Sequence, residues 1–209
     1  MFIDQPHHAG KRLLVWALLV LQVMPLSVRA APTIPDTRLP GERSLINGNT
    51  VPIVQIVSPN RAGVSHNKFL HYNVDPQGQI LNNSGLPSNT VLAGGIDGNP
   101  MLGNNHATLI LNEVTSAIPT RLRGPIEIAG HRADLVIANP GGISVNGASF
   151  INVGGATLTT GSPSIAVDGH LAALDIQRGM IDIQGQTFDA SGADSLRILS
   201  RSLLLNAKL

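Results

Sequence analysis

From Val51 onward the apolar positions come in short runs rather than in long or helical stripes. Val51–Val57, Lys68–Asn73, Ala107–Asn112, Pro125–Ala129 and Ala133–Ala138 read as strands, as do Ile143–Val145, Phe150–Val153 and Thr157–Thr160. Their Val, Ile and Thr residues fit a pleated, half-buried surface. Between Ala133 and Gly161 the runs are broken every six to eight residues by Asn-Pro, Asn-Gly and Gly-Gly pairs, which mark turns. No window there has the i, i+3, i+4 spacing of an amphipathic helix. Strands this short bury little alone and must stack on copies of themselves, which predicts an all-β solenoid of coils.

The same pattern continues to the C-terminus, with strands predicted at Ile165–Val167, Leu174–Gln177, Met180–Ile183 and Leu203–Asn206. Ser58–Asn67 and Pro76-Gln77-Gly78 read as turns, and one helical turn is placed in Ser191–Ser200. Leu86–Asn105 is weakly patterned and reads as a β-hairpin or loop outside the main coil. Ala31–Asn49 is Pro-rich and patternless, a poorly ordered stretch before the fold begins.

Residues 1–30 differ from the rest. A polar, basic start (His7, His8, Lys11, Arg12) precedes the apolar run Leu13–Val23, and Val28-Arg29-Ala30 supplies small residues near a cut. This is the layout of a secretory signal peptide cleaved after Ala30. The run is shorter than the ~20 apolar residues a membrane span needs.

Composition narrows the picture. Of the 209 residues 43% are hydrophobic, so the chain can build a core and is not disordered. A net charge of +1 gives no electrostatic case for binding nucleic acid. Aromatics are only 3%, which suits a narrow, regular core of small side chains. The chain has no cysteine, which removes disulfides and thiolate chemistry and suits a chain kept unfolded in an oxidising compartment.

Candidate chemistry is sparse. His66 and His71, five apart on extended chain, point to opposite faces and do not form a metal pair. Asp168, Asp175, Asp182 and Asp189 recur every seven residues, but odd spacing alternates faces along a strand, so they read as turn caps. Motifs for a nucleophilic serine, a phosphate loop or a zinc protease are lacking. No catalytic residue, metal or cofactor is expected. The asparagines carry more information. Asn82, Asn99, Asn112, Asn139 and Asn152 fall at predicted turns or strand ends, where their amides can satisfy bent backbone or stack in ladders between coils.

The spaced motifs also resemble a known family. Asn139-Pro140-Gly141-Gly142-Ile143, Val145-Asn146-Gly147, Phe150-Ile151-Asn152 and Thr157–Gly161 are similar to the secretion domain of two-partner-secreted exoproteins, the filamentous-haemagglutinin, haemolysin and contact-dependent-inhibition proteins of Gram-negative bacteria. Further matches are Gly63–Asn67, Val74–Ser84, Asn99-Pro100-Met101-Leu102, Ile110–Ser116, Gly179–Gly185 and motifs from Ala190 to Lys208. Gly141 and Met101 stand where the family usually has Asn.

The resemblance implies a right-handed parallel β-helix with a short N-terminal cap and extra-helical β-hairpins, over residues 50–209. That helix is expected to be incomplete at its C-terminal end. It also implies a non-catalytic export role, with passage through the periplasm to the cell surface or extracellular space. The implied partners are the general secretion machinery and an outer-membrane β-barrel transporter with periplasmic POTRA-type domains, with a host or neighbouring-cell surface beyond. Asn99, Pro100, Asn112, Asn139, Pro140, Gly142, Asn146 and Asn152 are the transporter-recognition or structural turn residues this reading selects. Downstream it implies an adhesin, haemagglutinin or inhibition toxin. The alternatives are a self-contained surface adhesin and a polysaccharide-degrading β-helix enzyme.

Overall fold

The computed structural model describes residues 32–41, 43–48, 50–185 and 188–207. The leader expected at 1–30 lies outside these residues. Among them the regular structure is all strand, and no helix is long and apolar enough to cross a membrane.

The chain winds as a parallel β-helix with three sheets as its faces. Face one stacks Val64–His71, Leu109–Val114, Ala133–Ala138, Val153–Thr159 and Ala193–Leu199. Face two stacks Asn73–Val74, Thr120–Leu122, Ile143–Val145, Met180–Gly185 and Ser202–Ala207. Face three stacks Ile53–Gln55, Gln79–Asn83, Pro125–Gly130 and Ser149–Ile151, and a parallel bridge from Ser149 to Asp189 carries it into the last coil. Each coil runs from face three to one to two.

Alternation along each strand sends one set of side chains inward. Val54, Leu81 and Ile128 form one buried column, Leu122, Val145 and Ile183 another, and Ile110, Leu135 and Ala156 a third. The few aromatics serve as wider plugs at separate levels: Phe69 and Tyr72 (centroids 5.1 Å apart) in the first coil, Phe150 edge-on to Phe188 (6.1 Å) further along.

The N-terminal end is closed on all its faces by the segment expected to lack pattern. Ile34–Pro35 pairs antiparallel with the first strand of face one, and Leu45–Asn47 with the first strand of face three. The Thr33 hydroxyl donates to Asn73 O at 2.8 Å and accepts from Asn73 N at 3.2 Å on face two. Unpaired strand edges invite further pairing, and this cap blunts each of them. Asp36 fixes the cap. Its buried carboxylate takes both Arg38 Nε and Nη2 at 2.9 Å and the Thr115 hydroxyl at 2.6 Å.

Two hairpins leave the helix and cover outer faces. Ser88–Thr90 with Gly94–Ile96 lies on face three, where Ile96 and Leu92 pack with Val51, Ile53, Ile80 and Ala129. Ser162–Ile165 with Leu171–Asp175 lies on face one, where Leu171 and Leu174 pack with Val64, Leu111 and Val136. The strands expected at Ile165–Val167 and Leu174–Gln177 are shifted into this second hairpin.

Two further expectations are corrected. Ser58–Asn67 is a turn only to Gly63; Val64–Asn67 belongs to a face-one strand. Its polar Ser65 and Asn67 face inward and are satisfied there: Ser65 Oγ donates to Val57 O at 2.7 Å, and Asn67 Oδ1 accepts from Val57 N at 3.0 Å and Ser44 Oγ at 2.7 Å. The helical turn placed in Ser191–Ser200 is instead strand Ala193–Leu199, because pairing with Val153–Thr159 overrides a weak local preference.

Candidate functional site

Except for Asn112, the site residues that the sequence singles out lie at turns and corners of the helix, and two of those corners are built alike. Asn139 directly follows the face-one strand Ala133–Ala138. Its main-chain oxygen accepts Gly142 N at 2.9 Å, closing a four-residue turn, and its Oδ1 accepts Gly141 N at 2.8 Å. Its Nδ2 reaches the preceding coil, donating to Ile118 O and to Thr120 Oγ1, each at 2.9 Å. Asn99 repeats the scheme. Its carbonyl accepts Leu102 N at 3.2 Å, its Oδ1 accepts Met101 N at 3.0 Å, and its Nδ2 donates to Ile56 O at 2.9 Å and Asn82 O at 3.0 Å. Both asparagines are buried.

Proline suits the second place of such a turn because its φ is preset and its missing N–H is not required. Pro100 and Pro140 occupy it, the first exposed and the second half-buried. The third place contributes only its backbone N–H, which explains why Met101 and Gly141 serve where the family carries Asn. Gly141 also lets the neighbouring coil approach, since a Cβ there would lie 2.6 Å from Ala117 O. Gly142 has φ +112, a conformation that a β-branched residue strongly resists.

Asn152 works differently. It adopts the left-handed region itself, at φ 57, and donates to Ile128 O at 2.8 Å and Gly130 O at 3.2 Å. Asn146 is exposed at the turn after Ile143–Val145, where its backbone N–H, not its amide, bonds Leu122 O at 2.8 Å. Asn82 forms a ladder of amides on face three: it donates to Gln55 Oε1 at 3.0 Å, and Gln55 donates to Asn47 Oδ1 at 3.1 Å.

Asn112 is a correction. It lies mid-strand rather than at a turn or strand end, with its side chain in the core at the register of Asn67. Its amide stands beside the Tyr72 phenol. Burial pushes that phenol's pKa well up, and Asn112 offsets a part of the rise. Neither group has a partner at full hydrogen-bond geometry among the described residues.

Several structural residues escaped sequence reasoning. Glu127 is buried on the outside of face three and accepts Val91 N at 2.7 Å and Leu92 N at 2.9 Å, holding the tip of the first hairpin. Asn83 clamps two coils through Ala107 and His131. A carboxylate alternating within a strand looks solvent-facing in sequence; only the hairpin folded over it makes it a clamp.

Catalytic geometry is thin. The cleft under the second hairpin, about 510 Å³, is lined by one carboxylate, Asp134, whose Oδ1 accepts Gly155 N at 2.6 Å. Paired-carboxylate hydrolysis needs a second acid opposite it. Of the recurring aspartates, Asp168 and Asp189 do cap turns, accepting His170 N at 3.1 Å and Ser191 N at 2.9 Å; the His170 N–H holds the first carboxyl below the usual range, and the Ser191 hydroxyl, followed by its N–H, holds the second there. Asp182 lies within a face-two strand instead. His66 sits in a strand, not a turn, and pairs with Glu113 at 2.7 Å. No cluster of three or more metal-ligating side chains occurs among the described residues.

Comparison with known proteins agrees with this architecture. The family model for the TPS secretion domain matches residues 31–209. A protein named Toxin CdiA from Yersinia pestis is 42% identical over 193 residues, covering 91% of this chain and 6% of that protein. Filamentous hemagglutinin from Bordetella pertussis is 40% identical over 193 residues, covering 92% of this chain and 5% of its own length. This chain therefore spans only about one-twentieth of these relatives. The crystal structure of a filamentous hemagglutinin secretion domain superposes with a TM-score of 0.73 at 37% identity, over 83% of this chain and 56% of that one. A three-faced parallel helix with Asn-Pro corners, and a family match from residue 31 to the end, lead to one assignment: the chain belongs to the TPS, or two-partner secretion, domain family.

Proposed function

We propose that this domain is the export address of a large surface protein, read by a dedicated outer-membrane β-barrel transporter while the chain is still extended. The general secretion machinery delivers it to the periplasm, and residues 1–30 are the signal peptide removed after Ala30. The transporter's POTRA-type periplasmic domains then capture the chain and pass it outward to the cell surface. The passenger beyond the domain is an adhesin or an inhibition toxin, in keeping with relatives named as a toxin and as a filamentous hemagglutinin.

One observation carries this reading. In the folded domain the Asn99 and Asn139 amides are buried and bonded, each donating twice and accepting once. A partner cannot reach side chains that are buried and have both donor hydrogens engaged inside the protein. If these residues address a transporter, they do so before the corners close. Capture of an extended strand by edge pairing needs only a free backbone and a few side-chain pockets. Folding outside then withdraws the address from the transporter and biases the chain outward.

The test is binding of purified transporter periplasmic domains to the chain just diluted from urea and again after folding. Binding should weaken by roughly tenfold or more as the corners form, and Asn99→Ala or Asn139→Ala should weaken the early binding. Equal binding to the folded domain, insensitive to both substitutions, would contradict the proposal.

A further inference from the structure

In a solenoid each coil touches its neighbours alone, so stacked coils can open stepwise from either end. The second hairpin departs from that rule. It leaves the fourth coil after Thr159 and lies back across the outside of face one. Leu171 and Leu174 pack there on an outer cluster of Val64 from the first coil, Leu111 from the second, and Val136 and Ala138 from the third.

Its turn is latched to the first coil. Asn60 Nδ2 donates to Gly169 O at 2.7 Å, across 109 residues of chain. The Oδ1 of the same side chain accepts Ala62 N at 2.9 Å and Val64 N at 3.1 Å, shaping the entry to the first face-one strand. One side chain thus organises where the first coil begins and holds the hairpin that the fourth coil sends back. The fit is close: Gly169 has φ +95, and a Cβ there would lie 3.0 Å from Asn60 Nδ2. The turn is fixed internally as well, through Ala166 N to His170 O and Gly169 N to Ala166 O, both 2.9 Å.

We propose that residues 162–175 are a closing strap that joins the first four coils into one cooperative unit. Closing so long a loop costs chain entropy that is recovered only when the apolar contacts and the latch form together. The first coil therefore reaches full protection in the same step as the fourth, not before it. A chain emerging N-terminus first would keep the outside of its first coil open until residue 175 is free. The fold then commits in one event, whatever partner delivers it.

The strap is tested by native-state hydrogen exchange on the purified 209-residue chain, with no transporter present, so its failure leaves the export reading untouched. Asn60→Asp keeps both acceptor bonds but replaces the donor with an oxygen facing the Gly169 carbonyl; Leu174→Ala removes an anchor. In the unaltered chain, strands 64–71 and 153–159 should lose protection together as denaturant rises. In the double variant, protection at 64–71 should fall by about tenfold or more along with the hairpin, while 153–159 changes by less than about threefold. A second chain, with residues 163–174 replaced by two glycines, removes the strap outright and should give the same result. Wild-type protection at 64–71 in that chain, or separate opening of the two strands in the unaltered one, would overturn the proposal.

Discussion

The Asn139 side chain donates to the Thr120 hydroxyl at 2.9 Å, and both groups are buried. The bond joins the corner of one coil to the face-two strand of the coil before it. Its companion, Asn139 Nδ2 to Ile118 O, ties the same corner to the loop that precedes that strand. Coil stacking here is therefore specified by polar side chains at the corners as well as by apolar columns inside.

Removing that amide should be costly. Asn99→Ala leaves the Ile56 and Asn82 carbonyls without that donor, Asn139→Ala does the same to the Ile118 carbonyl and the buried Thr120 hydroxyl, and each releases the third N–H of the turn. Each should destabilise the domain by about 2–3 kcal/mol in denaturant unfolding. Asn146→Ala, at an exposed side chain, should stay within about 0.5 kcal/mol of wild type. Equal effects at the three sites would show that burial of the amide is not what matters.

Gly142 tests the backbone of the same corner. Gly142→Val places a β-branched residue at φ +112 with its Cβ 3.1 Å from Met180 O. Strain of this kind costs about 1–3 kcal/mol. A melting temperature within a degree or two of wild type would mean that the turn tolerates another conformation.

The cap should respond to acid. Arg38, and then Thr115, hold the Asp36 carboxyl well below the usual carboxylate range, against the opposing effect of burial. A group depressed in the folded state stabilises it above the unfolded value, near 3.8, and that contribution is lost as pH falls toward the folded value. The melting advantage of wild type over Asp36→Asn should be constant above about pH 5 and shrink below about pH 4. A constant advantage down to pH 2 would place the titration elsewhere.

Glu127 should control the first hairpin alone. Glu127→Ala deprives Val91 and Leu92 of their acceptors, so amide exchange and proteolysis should rise at residues 88–96 while face-one strands keep their protection. Loss of protection throughout would make this carboxylate part of the core fold rather than a clamp.

Much of this design was legible in the sequence where chemistry is local. The β-branched runs and Asn-Pro or Gly-Gly breaks gave the coil, with Ile143–Val145 placed to the residue, and Asn139 and Asn99 stood out because a turn asparagine has a local job. What escaped depends on distant chain. Asn67 and Ser65 read as turn residues until Val57 and Ser44 are seen to satisfy them inside the helix. Ala193–Leu199 carries only the short alternation Ser195-Leu196-Arg197-Ile198 and is fixed by pairing with Val153–Thr159. Ile34–Pro35 and Leu45–Asn47 look patternless because they are fixed by pairing with the edge strands Val64–His71 and Ile53–Gln55 rather than by an alternation of their own. Asn60, Glu127 and Asp36 carry ordinary local signals; the hairpins and the cap give them their roles.

The most direct measurement of the central claim is secretion of this chain, and of a version extended by one further coil, in cells with and without the matching outer-membrane transporter. The account predicts release into the medium only with the transporter, beginning at Ala31, and periplasmic retention when Asn99 or Asn139 is replaced. Equal release of both versions with and without the transporter would contradict it.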